Sequence, residues 1–230
     1  MFRMPPRPRQ GRPRHSETSG DASPREEILD AAAALFALNG FAATSTRTIA
    51  EKVGIRQASL YYHFANKDEL LIELLSTSVM PSLDAAQRIE QFVADGATPA
   101  GALFCLATVD VLTLAATPYN IGTLYLLPEV QREPYEQFRM QRQRLQSAYG
   151  RLGQRAAHAT VRDVIDETRL GELLLQLTEV VIQIRRDRDP DDRDSIAIAT
   201  SCLRLCGLSD AEVDSARIEA DELRNRIEDM

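Results

Sequence analysis

At 230 residues, with 44% apolar and 27% charged content, the chain is long enough to bury a sizeable core and suits one or two domains. Three cysteines, Cys105, Cys202 and Cys206, are too few for a disulfide framework. A Pro/Arg-rich amino terminus and apolar runs that read as too short to span a membrane predict a protein without signal peptide or membrane contact, placed in the cytoplasm.

The net charge of -7 is unevenly distributed: residues 1 to 75 carry +1 and the remainder -8. Acidity therefore belongs to the second part of the chain, and nucleic acid remains open as a partner of the first. In residues 1 to 22, Arg3, Arg7, Arg9, Arg12 and Arg14 alternate with Pro5, Pro6, Pro8 and Pro13 before the first acid, Glu17. Such a segment cannot form a core and is expected to be a disordered arm, either a salt-sensitive DNA clamp or a solvated tail.

Ser23-Pro24-Arg25-Glu26 supplies a cap, a proline at the first helical position and a first-turn carboxylate. The helix it opens carries Ile28, Ala32, Leu35 and Phe36 on one stripe. Downstream, Thr46 is expected to cap a short helix with Ile49, Ala50 and Val53 on one face, ended by Gly54. A second short helix starts near Arg56, with Ala58, Leu60 and Phe64 for packing and Arg56, Gln57, Ser59, Tyr61, Tyr62 and His63 as a polar cluster. Two short helices joined through glycine can lay the second in a major groove of DNA. Asn66 then caps a third, longer helix, with Glu69 returning as the carboxylate of a capping box. Lys67 falls in its first turn, where a cation wants an anion opposite, and a phosphate would serve.

The stretch T-R-x-I-A-x-x-V-G followed by S-L-Y-Y-H-F-x-N-K-D-E-L-L resembles the amino-terminal domain of the tetracycline-repressor (TetR/AcrR) family of bacterial transcriptional regulators, over roughly residues 24 to 75. The resemblance implies an all-α protein: an N-terminal three-helix helix-turn-helix domain over 23–75 and a C-terminal helical ligand-binding and dimerisation domain over 76–230. It also implies a repressor that binds a palindromic operator on double-stranded DNA as a homodimer and is released by a small, largely apolar effector. An activator or an architectural DNA-binding protein is the alternative. By the same resemblance Thr46, Tyr61, Tyr62, His63 and Lys67 stand where the family grips phosphates, and Arg56, Gln57, Ala58 and Ser59 where it meets base edges. Arg56 and Ala58 depart from the serine and glycine common at those places, which leaves the bases read undefined.

Beyond Lys67 the helix continues through Leu70, Leu71, Leu74 and Leu75 to Met80, where Pro81 ends or kinks it. If it runs on to Phe92 it forms a lever between the two parts. An apolar helix, Ala102 to Ala116, holds Asp110, whose burial demands an arginine partner or a polar ligand. From Thr117 to Tyr135 three prolines and three tyrosines form a broken stretch, either pocket lining or simple packing. Phe92, Phe104, Asp110, Tyr119, Tyr125 and Phe138 are the candidate effector contacts. Glu136 to His158 reads as a polar helix with Phe138, Leu145, Tyr149 and Leu152 inward. In Leu170 to Ile184 a narrow wet stripe of Glu172, Gln176, Glu179 and Gln183 leaves the rest apolar. Together with Ile196 to Leu208, rich in small residues, it is expected to pair with its copy in a four-helix interface. Val213, Ala216, Ala220, Leu223 and Ile227 define a final amphipathic helix. Cys202 and Cys206 lie four apart, a metal-like spacing, but with no third ligand they read as core. No Gly-rich phosphate loop, metal-ligand cluster or paired catalytic histidine is found, so neither an enzyme nor a cofactor is expected.

Overall fold

The computed structural model describes residues 23–229, so the expected Arg/Pro arm lies outside the described residues. Ten α-helices follow in order: α1 Pro24–Asn39, α2 Thr46–Val53, α3 Gln57–His63, α4 Lys67–Ala94, α5 Pro99–Ala116, α6 Glu136–Ala156, α7 Ala159–Arg162, α8 Glu167–Asp187, α9 Asp192–Leu205 and α10 Asp210–Glu228. Three short 3-10 turns occupy residues 118–135, and no strand occurs among the described residues. The fold is all-α, as expected.

Local chemistry sets most boundaries. Ser23 Oγ accepts from the Glu26 amide while the Glu26 carboxylate accepts from the Ser23 amide at 2.7 Å, the reciprocal pair that starts α1. The cap of α2 is Ser45 rather than Thr46: its hydroxyl accepts from the Thr48 amide at 3.0 Å, one residue earlier than the sequence suggests. Gly54 ends α2 at φ 77°, a left-handed conformation that a side chain would resist. Asn66 caps α4 through the Glu69 amide at 2.9 Å. Glu69, however, accepts from the Ala65 amide at 2.6 Å instead of closing the box on Asn66.

Pro81 neither ends nor breaks α4. The helix runs 28 residues through it, because the cost of about 3 kcal/mol for a mid-helix proline is offset by burial of Val79, Leu83, Ala86 and Ile89 on its inner face. α4 thus crosses the expected boundary at residue 75 without interruption.

α5 lies at the centre of the second part, packed against α4, α6, α8, α9 and α10. Its 18 residues have a mean hydropathy of 1.7, long and apolar enough to cross a membrane, which corrects the reading that no run has that length. Gly101 to Thr108 is buried without interruption, the signature of a helix surrounded by others. α6 and α8 approach backbone to backbone: a Cβ on Gly150 would stand 2.5 Å from the Glu167 carbonyl, and one on Gly171 would collide with the Gln146 carbonyl. α10 folds back on α5 through Val213, Ala216, Ala220 and Leu223. Cys202 and Cys206 are fully buried, and burial lifts both thiols to about 12. They are core residues, and no cluster suited to a metal ion exists among the described residues.

Candidate nucleic-acid interface

α2 and α3 are held from beneath by Ile49, Ala50, Leu60 and Phe64, all buried against α1 and the start of α4. With only one buried residue, Leu60, α3 presents nearly all its polar positions to solvent. Arg56, Gln57, Ala58, Ser59 and Tyr61 are exposed, and Tyr62 is 87% exposed. Ala58 therefore does not pack, contrary to the periodicity, because seven residues cannot bury two faces. Arg56 stands at the N-cap with no side-chain cap bond, so the first two amides of α3 are left without a side-chain cap beside an exposed guanidinium.

A polar network ties the two helices on this face. Gln57 Nε2 donates to Thr46 Oγ1 at 2.9 Å and, more weakly, to the Tyr61 hydroxyl at 3.4 Å, while Thr46 Oγ1 and the Tyr61 hydroxyl are 3.1 Å apart. The network fixes the Gln57 amide with its nitrogen engaged, leaving its oxygen as the available acceptor. His63 is half-buried and edge-on to Tyr62 at 5.2 Å.

Lys67 is placed differently from the expectation. Its ammonium donates to the carbonyls of Phe41 at 2.7 Å and Thr44 at 2.9 Å and sits 4.2 Å from the Phe41 ring centroid. The anion opposite the cation is thus a pair of carbonyl dipoles from the α1–α2 loop, and one of three N–H donors remains for anything else.

Several contacts join this unit to the rest. Arg25 pairs with Glu73 and covers the Phe64 ring at 4.7 Å. Tyr119 donates to Asp30 on α1 at 3.0 Å, and Asp68 accepts from the Tyr135 hydroxyl at 2.6 Å and from Arg132. The 117–135 segment therefore straps α1 and α4 from one side. Tyr119 and Asn120 within it are left-handed, at φ 58° and 51°, and Asn120 Nδ2 donates to the Ile182 carbonyl of α8 at 3.0 Å.

The six candidate effector contacts do not converge. Phe92 packs under Arg226 of α10 at 4.0 Å, Phe104 is buried in α5, and Tyr119 is a surface residue bonded to α1. Asp110, Tyr125 and Phe138 lie closer together: Tyr125 and Asp110 line one small cavity, and the rings of Tyr125 and Phe138 are 5.3 Å apart. Among the described residues, Asp110 pairs with no arginine. Its carboxylate accepts from Ser82 at 2.7 Å, Tyr149 at 2.9 Å and Thr178 at 3.0 Å, hydroxyls on three different helices. Burial raises its pKa, with the three hydroxyls and Arg142 pulling the other way.

Glu179 was read as part of the wet stripe of α8 but turns inward, paired with Arg142 and accepting from Gln176 at 2.9 Å. Burial raises its pKa too, against the opposing pull of Arg142. The sequence named Tyr149 as inward and Glu179 as wet but did not join them with Ser82, Arg142 and Thr178, because the five come from three helices, α4, α6 and α8, and meet only in the packed fold. The exposed face of α8 instead mixes Glu172, Gln176 and Gln183 with Leu173 and Val180, both more than 40% exposed.

A profile of the tetR family, described as bacterial regulatory proteins, matches residues 28–74. The crystal structure of Mycobacterium smegmatis AmtR is similar to this chain with a TM-score of 0.74 and 36% identity, covering 92% of this chain and 98% of that one. The HTH-type transcriptional repressor KstR2 of Rhodococcus jostii (strain RHA1) is 35% identical over 105 residues, 46% of this chain and 50% of the relative. The class D tetracycline repressor protein of Escherichia coli is 41% identical over 66 residues, 27% of this chain and 30% of the relative. The chain thus aligns with half or less of the length of those two. With the helix-turn-helix profile matched at the amino end and an alignment at 36% identity running nearly the full length of both chains, the protein belongs to the tetR family of bacterial regulatory proteins.

Proposed function

We propose that the protein is a transcriptional repressor that binds a palindromic operator as a homodimer and lets go of it when a small molecule binds. The observation that carries the reading is the α3 face: Arg56, Gln57, Ala58, Ser59, Tyr61 and Tyr62 exposed on a helix clamped by Leu60 and Phe64, beside a second short helix tied to it through Thr46, Gln57 and Tyr61. Arg56, Gln57, Ala58 and Ser59 would meet base edges in the major groove, and Thr46, Tyr61, Tyr62 and His63 the flanking phosphates. Lys67 would contribute through its one remaining donor. The functional units are residues 23–75 as reader and 76–230 as effector and dimerisation body, with α4 continuous between them. The outer faces of α8 and α9, where Leu173, Val180, Ala197 and Ser201 are exposed, would pair with their copies. In this reading the protein works in the cytoplasm, where its DNA lies.

The relatives support the reading: KstR2 of Rhodococcus jostii and the Escherichia coli tetracycline repressor are both named as repressors. The test is selection of genomic DNA fragments by the purified protein at near-physiological salt, then footprinting. Protection of two half-sites about one helical turn apart is the expected result. Unpatterned retention that disappears with modest added salt would replace it with an architectural role.

A further inference from the structure

Asp110 is 3% exposed in the middle of α5, and its direct partners are three neutral hydroxyls. A carboxylate taken out of water needs a cation or a proton to balance it, and hydroxyl donors meet its hydrogen bonds without meeting its charge. The neighbouring charged groups are Arg142 and Glu179, which pair with each other and so cancel. With Asp110 ionised, the cluster therefore holds one uncompensated negative charge. Arg142 also leaves its Nε buried without a partner.

Space and access accompany the charge. A cavity of about 10 Å³ lies among Asp110, Tyr125, Arg142 and Glu179, room for about one water. An outer cleft of about 660 Å³ opens between the 119–126 segment and α8, within the size range of small-molecule sites. Tyr125 and Glu179 line both and form their shared wall. Tyr125 is held there by the Ser78 hydroxyl at 2.8 Å and the Arg142 guanidinium 5.2 Å over its ring, contacts that a rotation of the side chain would exchange.

We infer that Asp110 is the recognition point for the cationic head of a small amphiphilic amine that enters from the outer cleft past Tyr125 and Glu179. This rests on the ligand-responsive reading above and names its ligand class. The ammonium, about the size of the one water the inner cavity admits, donates to the Asp110 carboxylate and supplies the missing charge, while the apolar body lies in the outer cleft along Leu126, Val180 and Ile182. An alcohol of the same shape leaves the charge uncompensated. A carboxylate adds a second negative charge beside the first. The order of preference is amine, alcohol, acid, with charge-assisted bonding favouring the amine by about tenfold or more.

The test is thermal melting of the full chain with hexylamine, hexanol and hexanoate at matched concentrations, repeated with Asp110→Asn. Hexylamine is expected to raise the melting temperature of the wild-type protein in a concentration-dependent way, the other two probes are not, and the variant is expected to lose the response. Equal shifts with all three probes, no shift with hexylamine, or a hexylamine shift that survives in Asp110→Asn would each overturn the assignment. Equal shifts with the three probes, or no hexylamine shift, overturn the assignment in the wild-type protein alone, whether or not the variant folds. A selective hexylamine shift that leaves retention of the selected DNA unchanged would uphold the Asp110 site and refute release by ligand instead.

Discussion

Lys67→Met separates two roles that one ammonium can hold. The substitution keeps the stem and removes the donor to the Phe41 carbonyl at 2.7 Å, the donor to the Thr44 carbonyl at 2.9 Å and the cation over the Phe41 ring. In a half-buried setting each hydrogen bond contributes about 1 kcal/mol net, and the cation–π contact about 0.5 kcal/mol. The expected loss is about 2 to 3 kcal/mol, roughly 5 to 10 °C in melting temperature for a chain of this size. Urea denaturation measures the first figure, and the salt dependence of binding to a selected DNA fragment measures the second role. A pure staple leaves the slope of log affinity against log salt unchanged, whereas a phosphate contact lowers it by about one. Full stability combined with a slope lower by about one would refute the staple and leave the ammonium free for DNA.

Asn120→Ala is expected to lose about 2 kcal/mol in chemical denaturation, about half from the left-handed backbone that Asn tolerates and half from the bond to the Ile182 carbonyl; no loss would mean that the strap carries neither. Gly171→Ala should destabilise by about 1 to 3 kcal/mol, because its Cβ meets the Gln146 carbonyl of α6 rather than a movable side chain; a neutral result in calorimetry would show that the two helices can part. Asp110→Asn should flatten the dependence of stability on pH. A carboxyl whose folded pKa is raised by burial contributes stability that is full below the unfolded value of about 3.9 and is lost as pH rises through the folded value. An unchanged profile between mild acid and neutrality would place its folded and unfolded values together. Arg56→Ala is expected to relax base preference in fragment selection at particular positions without changing the salt slope as a phosphate contact would; an unaltered consensus would move Arg56 out of the reading face.

The reader was legible in the sequence because its signals are local. Ser23, Gly54 and Asn66 act within one helical turn of themselves, and the alternation of Leu60 and Phe64 with polar neighbours names the inner face of α3 directly. The cap at Ser45 was missed by one residue, since three hydroxyls, Thr44, Ser45 and Thr46, stand in a row and only the backbone decides which accepts. The carbonyl partners of Lys67 were not legible for a different reason: Phe41 and Thr44 lie more than 20 residues away and carry no side-chain signature. The same limit governs the core. Asp110 announced a need for a partner, but hydroxyls from Ser82, Tyr149 and Thr178 converge on it only once four helices have packed. Glu179 falls in a run spaced four, three and four that suits a wet stripe and an inward ion pair equally well, and only the position of Arg142 distinguishes them.

The glycine contact between α6 and α8 gives the body a stiff side and a compliant side. Where Gly150 and Gly171 bring main chains into contact, no side chain can turn aside to make room, so the two helices behave as a single plate. The same interior is also closed by α4, bridged by a proline, and by a strap with two residues in left-handed backbone. Swelling of the interior around Asp110 meets least resistance where side chains rather than main chains are in contact. A force applied there acts on the helix whose first turn carries Lys67 and on the strap that holds Asp30 and Asp68. The direction in which this molecule yields is thus written into where its backbones touch.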